Sequence, residues 1–531
     1  DKLSEIIINF DPVNPSASIP DLLEVYDVLN SLKKDQWIDI KRQELLRIIQ
    51  SCSGLWIEAI TDEFSASPGE TIHFTITAVN RSDTPFVIEK VNCPKLNLDS
   101  MENISIHNND PSVIEKNIPI PQNMPISQPY WLVEPYSPGT FSVQDQTQIG
   151  LADNSPSVYI NVTVSNDGKH LTYAIPLLYR WTDRARGELY RPFEIRPAVT
   201  VDFKDKVFIF GDNTPKKITV KVKSHTPEVS GLVRLSGSGA WHIQPASIPI
   251  SLTNKYEEQT VTFTVTPPQI QDEAVLTAEA VINGKTYNRS LVEISYPHIE
   301  TSVYFPESNA KIARLNITKP NVTIGYIMGA GDEVPDCLRN LGYEITLLDD
   351  EMLESTSLSR FDTIIMGIRA YNTRERLKHY QPSLLEYVKN GGILIVQYNV
   401  SSGLVMPEIG PYPFTIGRDR VSLETAPVSF LTPGHQLLNY PNKITQKDFE
   451  GWVQERGLYF AEQWDDKYEL MLSCHDPGES DKTSGTLFTR YGKGVFIYTG
   501  YSWFRQLPAG VPGAYRLFVN MITAGKYDGN K

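Results

Sequence analysis

From Val322 onward the chain alternates short apolar runs with helical stretches, a pattern that few folds can accommodate. Val322-Thr323-Ile324-Gly325-Tyr326-Ile327-Met328 predicts a buried strand, followed by a short helix over 333–341. Residues 344–348 predict a second strand, 362–366 a third, 375–389 a helix and 393–398 a fourth strand. Strands apolar on both faces must be covered on both, and strands joined through helices pair in parallel. The expectation is a parallel sheet with helices on each side. A long segment over 401–484 interrupts the rhythm, after which 487–490 and 495–499 predict a β-pair and 513–522 a closing helix.

The residues before this region follow other periods. Ser18-Ile19-Pro20 and then Leu22, Leu23, Tyr26, Leu29 and Leu32 give an apolar stripe at helical spacing, with Pro20 in the tolerated first turn. A second helix is expected from near Asp35 to Cys52, stopped by Gly54. Two helices cannot bury their faces alone, so they must pack on the residues after them or on a domain before them. From Leu55 the period falls to two. After the turn at Ser67-Pro68-Gly69-Glu70, the residues Ile72, Phe74, Ile76 and Ala78 alternate with polar ones. Residues 158–162 and 174–179 read as further strands, and the polar stretch 97–128 as a long loop. In the next module 218–222, 261–265 and 275–281 predict strands, with Asn283-Gly284 as a hairpin turn.

The expected fold is therefore multidomain. It comprises N-terminal helices over 1–53, two immunoglobulin-like β-sandwiches over 54–187 and 188–298, and a flavodoxin-like α/β domain over 299–531. Trp181 to Glu188 is a charge-dense connector, read either as a ligand patch or as interdomain ion pairs. Trp241 is either a sugar platform or core, and Lys216 to Lys223 are expected on strand edges.

Composition narrows the function. At 531 residues the chain exceeds a single core, since domains average roughly 150 residues. A formal charge of −14 argues against nucleic acid as a partner. Four cysteines in a chain this long make no disulfide framework, and no Cys-x-x-Cys pair occurs. No apolar run reaches the ~18–20 residues of a transmembrane helix. The N-terminus shows no signal peptide and begins at Asp1 without Met, so the chain reads as a processed or truncated piece.

In an open α/β sheet, ligands bind outside the carboxyl ends of the strands. Three segments are expected there: Gly329-Ala330-Gly331-Asp332-Glu333, Gly367-Ile368-Arg369-Ala370-Tyr371-Asn372, and Tyr398-Asn399. The first is glycine-rich, but it lacks the P-loop lysine and its acidic pair repels phosphate. The string Gly500 to Pro508, including Arg505, adds aromatic and amide groups suited to sugars or to a core corner. The candidate pocket is Gly331, Asp332, Glu333, Arg369, Tyr371, Asn372, Tyr398, Asn399 and Arg505, with no catalytic residue and no metal ligand assigned. Nine scattered histidines offer no H-x-x-x-H spacing.

With these strands and turns, the C-terminal domain resembles the class I glutamine amidotransferase-like fold. That resemblance implies a nucleophilic cysteine on the strained turn after the third strand, working with a histidine. Here the turn holds Arg369, which is charged at every workable pH and cannot attack an acyl carbon. Arg369 is then either a structural arginine satisfying loop carbonyls or a clamp for carboxylate or sugar hydroxyls, with Tyr371 and Asn372. Cys474 beside His475 is a weak substitute, because sequence neighbours seldom face each other. His435, followed by Gln436 where the resemblance implies proline, reads as structural. If water rather than a protein nucleophile attacks, Asp332 or Glu333 is the candidate base.

Over nearly its whole length the chain resembles the region downstream of the catalytic domain in large Bacteroidetes-type PIG-L/LmbE family deacetylases. The residues carrying this are Arg180-Trp181-Thr182-Asp183, Tyr190-Arg191-Pro192-Phe193-Glu194, Gly329 to Asp336, Gly367 to Asn372 and Gly500 to Pro508. The resemblance implies a zinc-dependent enzyme acting on N-acetylglucosamine-type substrates through a His-Pro-Asp-Asp motif. No His-Pro dipeptide occurs in this chain. The expectation is an accessory, glycan- or amino-sugar-binding region with zinc and deacetylation in an upstream domain, located in the periplasm or outside the cell; the alternatives are a stand-alone carbohydrate-active hydrolase using the C-terminal amidotransferase-like pocket and a purely structural spacer.

Overall fold

The computed structural model describes residues 2–33, 35–137, 139–237 and 239–526. The chain is multidomain and mostly β-sheet, with helices gathered at its two ends. At the start, Lys2–Asn9, Ile19–Ser31 and Gln36–Ser53 are helical. The Asp35 carboxylate accepts the Trp37 N–H at 2.9 Å, and Gly54, at φ 62°, ends the last of these helices in the left-handed region. Their buried stripe (Ile19, Leu22, Leu23, Leu45, Ile49) joins one core with Phe74, Ile76, Ile88 and Ile160. The helices thus find their partner in the adjoining β-unit.

That unit is organised around the long strand Lys169–Asp183. Its first half pairs antiparallel with Tyr159–Asn166, and its second half pairs with Trp56–Thr61 and Gly187–Pro192. Two expectations fail here. The supposed loop 97–128 contains the strands Leu98–Ile106 and Ser112–Pro119. Only a few of their side chains, such as Leu98, Ile106 and Ile114, face the core, so the solvent side made the stretch look polar. The supposed connector 181–188 is a β-hairpin, whose turn forms as Asp183 Oδ1 accepts the N–H groups of Ala185 and Arg186 at 2.9 and 2.8 Å. A boundary at 187/188 would cut this hairpin, and Glu194–Ile195 still pairs with Ser65–Ala66 of the same unit. The ion pairs joining the two β-units lie elsewhere, at Lys255–Glu63 (2.6 Å) and Arg196–Glu293 (2.9 Å).

The second β-unit has a four-stranded and a six-stranded sheet. Strand Lys216–Ser224 lies between Val199–Phe203 and Glu258–Thr266, so its lysines are on a central strand and not an edge. Trp241 is core: it is 4% exposed, donates to Asp272 Oδ2 at 2.7 Å and meets Phe210 edge-on. Asn309–Arg314 is laid between Val207–Phe210 and Asp272–Ile282, so this unit runs on beyond residue 298.

The C-terminal sheet contains β1 (Ile324–Ile327), β2 (Ile345–Leu347), β3 (Thr363–Met366), β4 (Ile393–Gln397), β5 (Thr486–Tyr491) and β6 (Gly494–Thr499). Their order is β2-β1-β3-β4-β6-β5; all are parallel except β5, which pairs antiparallel with β6. Alternate residues of the same strands feed two separate cores. Ile365, Ile395 and Ile497 pack with helix α3 (Pro512–Ile522), while Ile364, Leu394 and Phe496 pack with helix α2 (Leu377–Lys389). This is the double burial that the continuous apolar runs required. Residues 401–484 form three short two-stranded ribbons, one of them Arg420–Val421 with Gly457–Leu458. Ile209, Ala313 and Leu315 of the second β-unit enter the first of these cores, so the two units share an apolar junction. Among the described residues, no helix is long and apolar enough to cross a membrane.

Candidate functional site

The chains leaving β1 and β3 nearly touch. A Cβ on Gly329 would lie 2.1 Å from the Ile368 carbonyl oxygen and 2.7 Å from the Ala370 nitrogen, so only glycine fits. The Ala330 N–H donates to the same Ile368 oxygen at 2.9 Å. Asp332 then laces the two turns together. Its Oδ1 accepts the Tyr326 hydroxyl at 2.6 Å and the Val334 N–H at 3.1 Å, and its Oδ2 accepts the Ile368 N–H at 3.2 Å. Gln397 Nε2 donates to the Tyr326 hydroxyl at 2.8 Å, extending the brace to β4. Burial raises the Asp332 carboxyl above its ordinary value, against the pull of those three donors. Asp332 was expected to line an open pocket; it instead closes the crevice between β1 and β3. Gly331 and Glu333 stay exposed beside it, at the start of helix α1 (Val334–Asn340).

The turn after β3 puts Arg369 in the left-handed region, at φ 56° and ψ 24°. Its N–H donates to the Tyr398 carbonyl at 2.8 Å, pinning the turn to the end of β4. The side chain is exposed, and among the described residues its guanidinium has no hydrogen-bond or ion-pair partner. It therefore satisfies no loop carbonyl. Tyr371 and Asn372, expected beside it in a clamp, turn away. Tyr371 is fully buried and donates its hydroxyl to Gln381 Oε1 at 2.5 Å. The Asn372 amide clasps Val400, accepting its N–H at 2.9 Å and donating to its carbonyl at 3.2 Å. Asn399 is also buried, its amide bridging the Tyr371 N–H (2.9 Å) and the Gln397 carbonyl (2.9 Å). These three side chains are scaffolding for the turns.

Other residues come to Arg369. Tyr398 stacks on Tyr459, with ring centroids 6.0 Å apart and planes at 7°, and leans on Phe504 at 5.2 Å. With Ile368 and Leu458 they form a small apolar cluster separate from both cores of the sheet. Tyr459, like Arg369, is left-handed, at φ 55°. Arg505 lies 4.8 Å over Phe504 and donates to Glu455 Oε1 at 3.1 Å, while the other Glu455 oxygen pairs with Arg420 at 3.2 Å. Burial raises the Tyr398 phenol, and the positive fields of Arg369 and Arg505 oppose the rise, which places both cations within range of that ring. Of the expected pocket, Arg369, Tyr398 and Arg505 are thus brought together. Tyr459, Glu455 and Arg420 were not anticipated, whereas Phe504 lies in the string 500–508 expected to offer aromatic groups to a sugar. The first three come from the long segment before β5, and nothing in their spacing signals that they return to β4.

The substitute nucleophiles are buried away. Cys474 Sγ lies 3.6 Å from the Tyr501 hydroxyl, and burial pushes its thiol up to about 11. His475 faces the Asp476 carbonyl at 2.9 Å and Asp481 at 3.6 Å rather than the thiol. Cys337 is pushed up to about 12 by burial in helix α1. His435 accepts the Leu437 N–H at 3.1 Å as a helix cap, and burial lowers its pKa to about 4. Among the described residues, no group of three or more His, Cys, Asp or Glu side chains is placed to hold a metal ion. A cavity of about 910 Å³ opens at the opposite end of the sheet, lined by Phe361, Asp362, Tyr387, Gly392 and Ile393 among others. It contains none of the candidate residues; its walls carry Glu354, Asp362, Glu386 and Lys526, of which Asp362 pairs with Lys526 at 3.3 Å and Glu354 with Arg376.

No protein-family model matches the chain, and no curated protein matches it. Among solved structures, it is similar to a β-galactosidase from Rahnella sp. R3, at TM-score 0.24 and 13% identity over 38% of this chain and 32% of that one. It is also similar to red sea bream transglutaminase, at TM-score 0.24 and 7% identity over 51% and 33% of the two chains. A protein of unknown function from Porphyromonas gingivalis W83 is similar at TM-score 0.15 and 12% identity, over 49% of this chain and 98% of that one. The chain spans about a third of the first two proteins, and likenesses this slight carry no argument about fold or activity.

Proposed function

We propose that this chain is a non-catalytic, glycan-binding region whose site lies at the carboxyl end of the parallel sheet, beside Arg369 and Tyr398. The order β2-β1-β3-β4 supports the flavodoxin-like reading of that sheet, and the largely antiparallel β-units, the second with two sheets around one core, support the immunoglobulin-like one. One observation carries the functional reading. The turn where an amidotransferase-like domain would hold its nucleophile instead presents an exposed guanidinium, unpartnered among the described residues, near a stacked aromatic pair. A permanently charged guanidinium can bind but cannot attack or take a proton. Aromatic faces flanked by fixed donors suit the apolar face and hydroxyls of a sugar ring. Asp332, the base that a water-mediated hydrolysis would use, already accepts three hydrogen bonds and serves as a brace.

Zinc-dependent deacetylation, which the resemblance implies for its family, would then belong to a separate catalytic domain, and an extracytoplasmic setting would suit the ligand. The test is a glycan array, together with a turnover assay of the chain on chitobiose-type substrates with added zinc. Binding without turnover is expected. Deacetylation by this chain, or an array with no glycan bound, would overturn the proposal.

A further inference from the structure

Resting on that reading, we infer that the glycan is acidic, and that Arg369 receives the carboxylate of a uronate-type sugar whose ring lies against Tyr459 and Phe504. Charge balance at the strand ends is the first support. Arg420 and Arg505 share one acid, Glu455, whose two oxygens they take at 3.2 and 3.1 Å, while Arg369 has no ion-pair partner among the described residues. Of the two acids in the turn after β1, Asp332 has its oxygens engaged by Tyr326, Val334 and Ile368, and the exposed Glu333 makes no ion pair with Arg369. Among the described residues no acid is paired with Arg369, in a chain whose overall charge is −14. Such a local excess of positive charge draws an anion.

Backbone conformation is the second. Arg369 and Tyr459 are both non-glycine residues held in the left-handed region, and both meet at Tyr398, one by a backbone hydrogen bond and one by ring stacking. Such conformations persist where the surroundings impose them, and they gather at ligand sites. Here they aim one guanidinium and one aromatic ring outward from the same floor. Tyr459 and Phe504 are half-exposed, while Tyr398 between them is 8% exposed. The result is an apolar strip with a cation at its edge, matching a pyranose that bears one planar anionic group. A single free guanidinium fork fits a carboxylate in bidentate fashion. A phosphate dianion ordinarily gathers several donors, and among the described residues no lysine pairs with this cluster.

The experiment uses the whole chain and matched sugars: oligogalacturonate and its methyl ester, which differ only in the carboxylate, beside an array of acidic and neutral glycans. Binding is expected for acidic members, falling at least about 10-fold on esterification, as loss of a charge-assisted hydrogen bond predicts. Arg369→Asn, which removes the charge while keeping a residue tolerant of the left-handed region, is expected to lose the same factor. Arg186→Asn, on the distant hairpin, is expected to bind as the parent does. Equal binding of acid and ester, or an unchanged Arg369→Asn affinity, would overturn the inference while leaving glycan binding intact. Binding of no glycan of either kind would overturn both.

Discussion

Between β1 and β3, polar groups are consumed by one another: Asp332 takes three donors, Gln397 supports Tyr326, and Gly329 lies against Ile368 with no room for a Cβ. On the β4 side of β3, Tyr398 carries an isolated apolar cluster, and Arg369 projects beside it without a partner among the described residues. The two neighbourhoods are only a turn apart, yet one is closed by its own hydrogen bonds and the other is left chemically unsatisfied. In an open α/β sheet the crevice at the strand-order switch is the usual ligand site. Here that crevice has been turned into structure, and the proposed site lies sideways of it, on β4 and the long segment before β5.

The contrast can be broken first at Gly329. Gly329→Ala forces a Cβ into the Ile368 backbone and is expected to cost about 3 kcal/mol, read by denaturant unfolding. A cost below about 1 kcal/mol would mean that the crevice has slack. Asp332→Ala comes next, at about 2 kcal/mol, because it strands the Tyr326 hydroxyl and two backbone N–H groups. Its pH signature follows from the sign of the shift. Folding raises the Asp332 carboxyl, so the protonated form is favoured in the folded chain. Relative to Asp332→Asn, the parent is expected to be most stable below about pH 4 and to lose that advantage as pH rises through the folded pKa. A flat difference between the two profiles would show that burial does not dominate there.

On the open side, effects on stability are expected to be smaller. Tyr459→Gly keeps the positive φ but removes the stack on Tyr398, at about 1 kcal/mol by thermal or chemical unfolding. Arg369→Asn is expected to change stability by no more than about 0.5 kcal/mol, because it removes no contact. A larger loss would show that Arg369 holds the turn together and that the two sides are built alike.

The closed side was partly legible in the sequence and the open side much less so. Continuous apolar runs announce the strands of the parallel sheet because both of its faces are buried. The position of Arg369 follows once the third strand is located. Chain adjacency places Tyr371, Asn372 and Asn399 in the pocket, but successive residues in a turn point in different directions: Tyr371 and Asn399 are buried, and the half-buried Asn372 is held on Val400. Tyr459, Glu455 and Arg420 reach the site by non-local packing that no local period records. The same limit hid the strands Leu98–Ile106 and Ser112–Pro119, whose polar outer faces masked a one-sided alternation. Charge density misled at Trp181 to Glu188, where Asp183 builds a hairpin turn instead of a linker.

The most direct measurement is amide hydrogen exchange on the whole chain, with and without a saturating acidic glycan. Ligand-induced protection is expected across 368–372, 398–400, 455–460 and 503–506, with no change over 329–334. Protection confined to 329–334, or to the walls of the 910 Å³ cavity around Phe361 and Gly392, would contradict a site built on Arg369 and Tyr398.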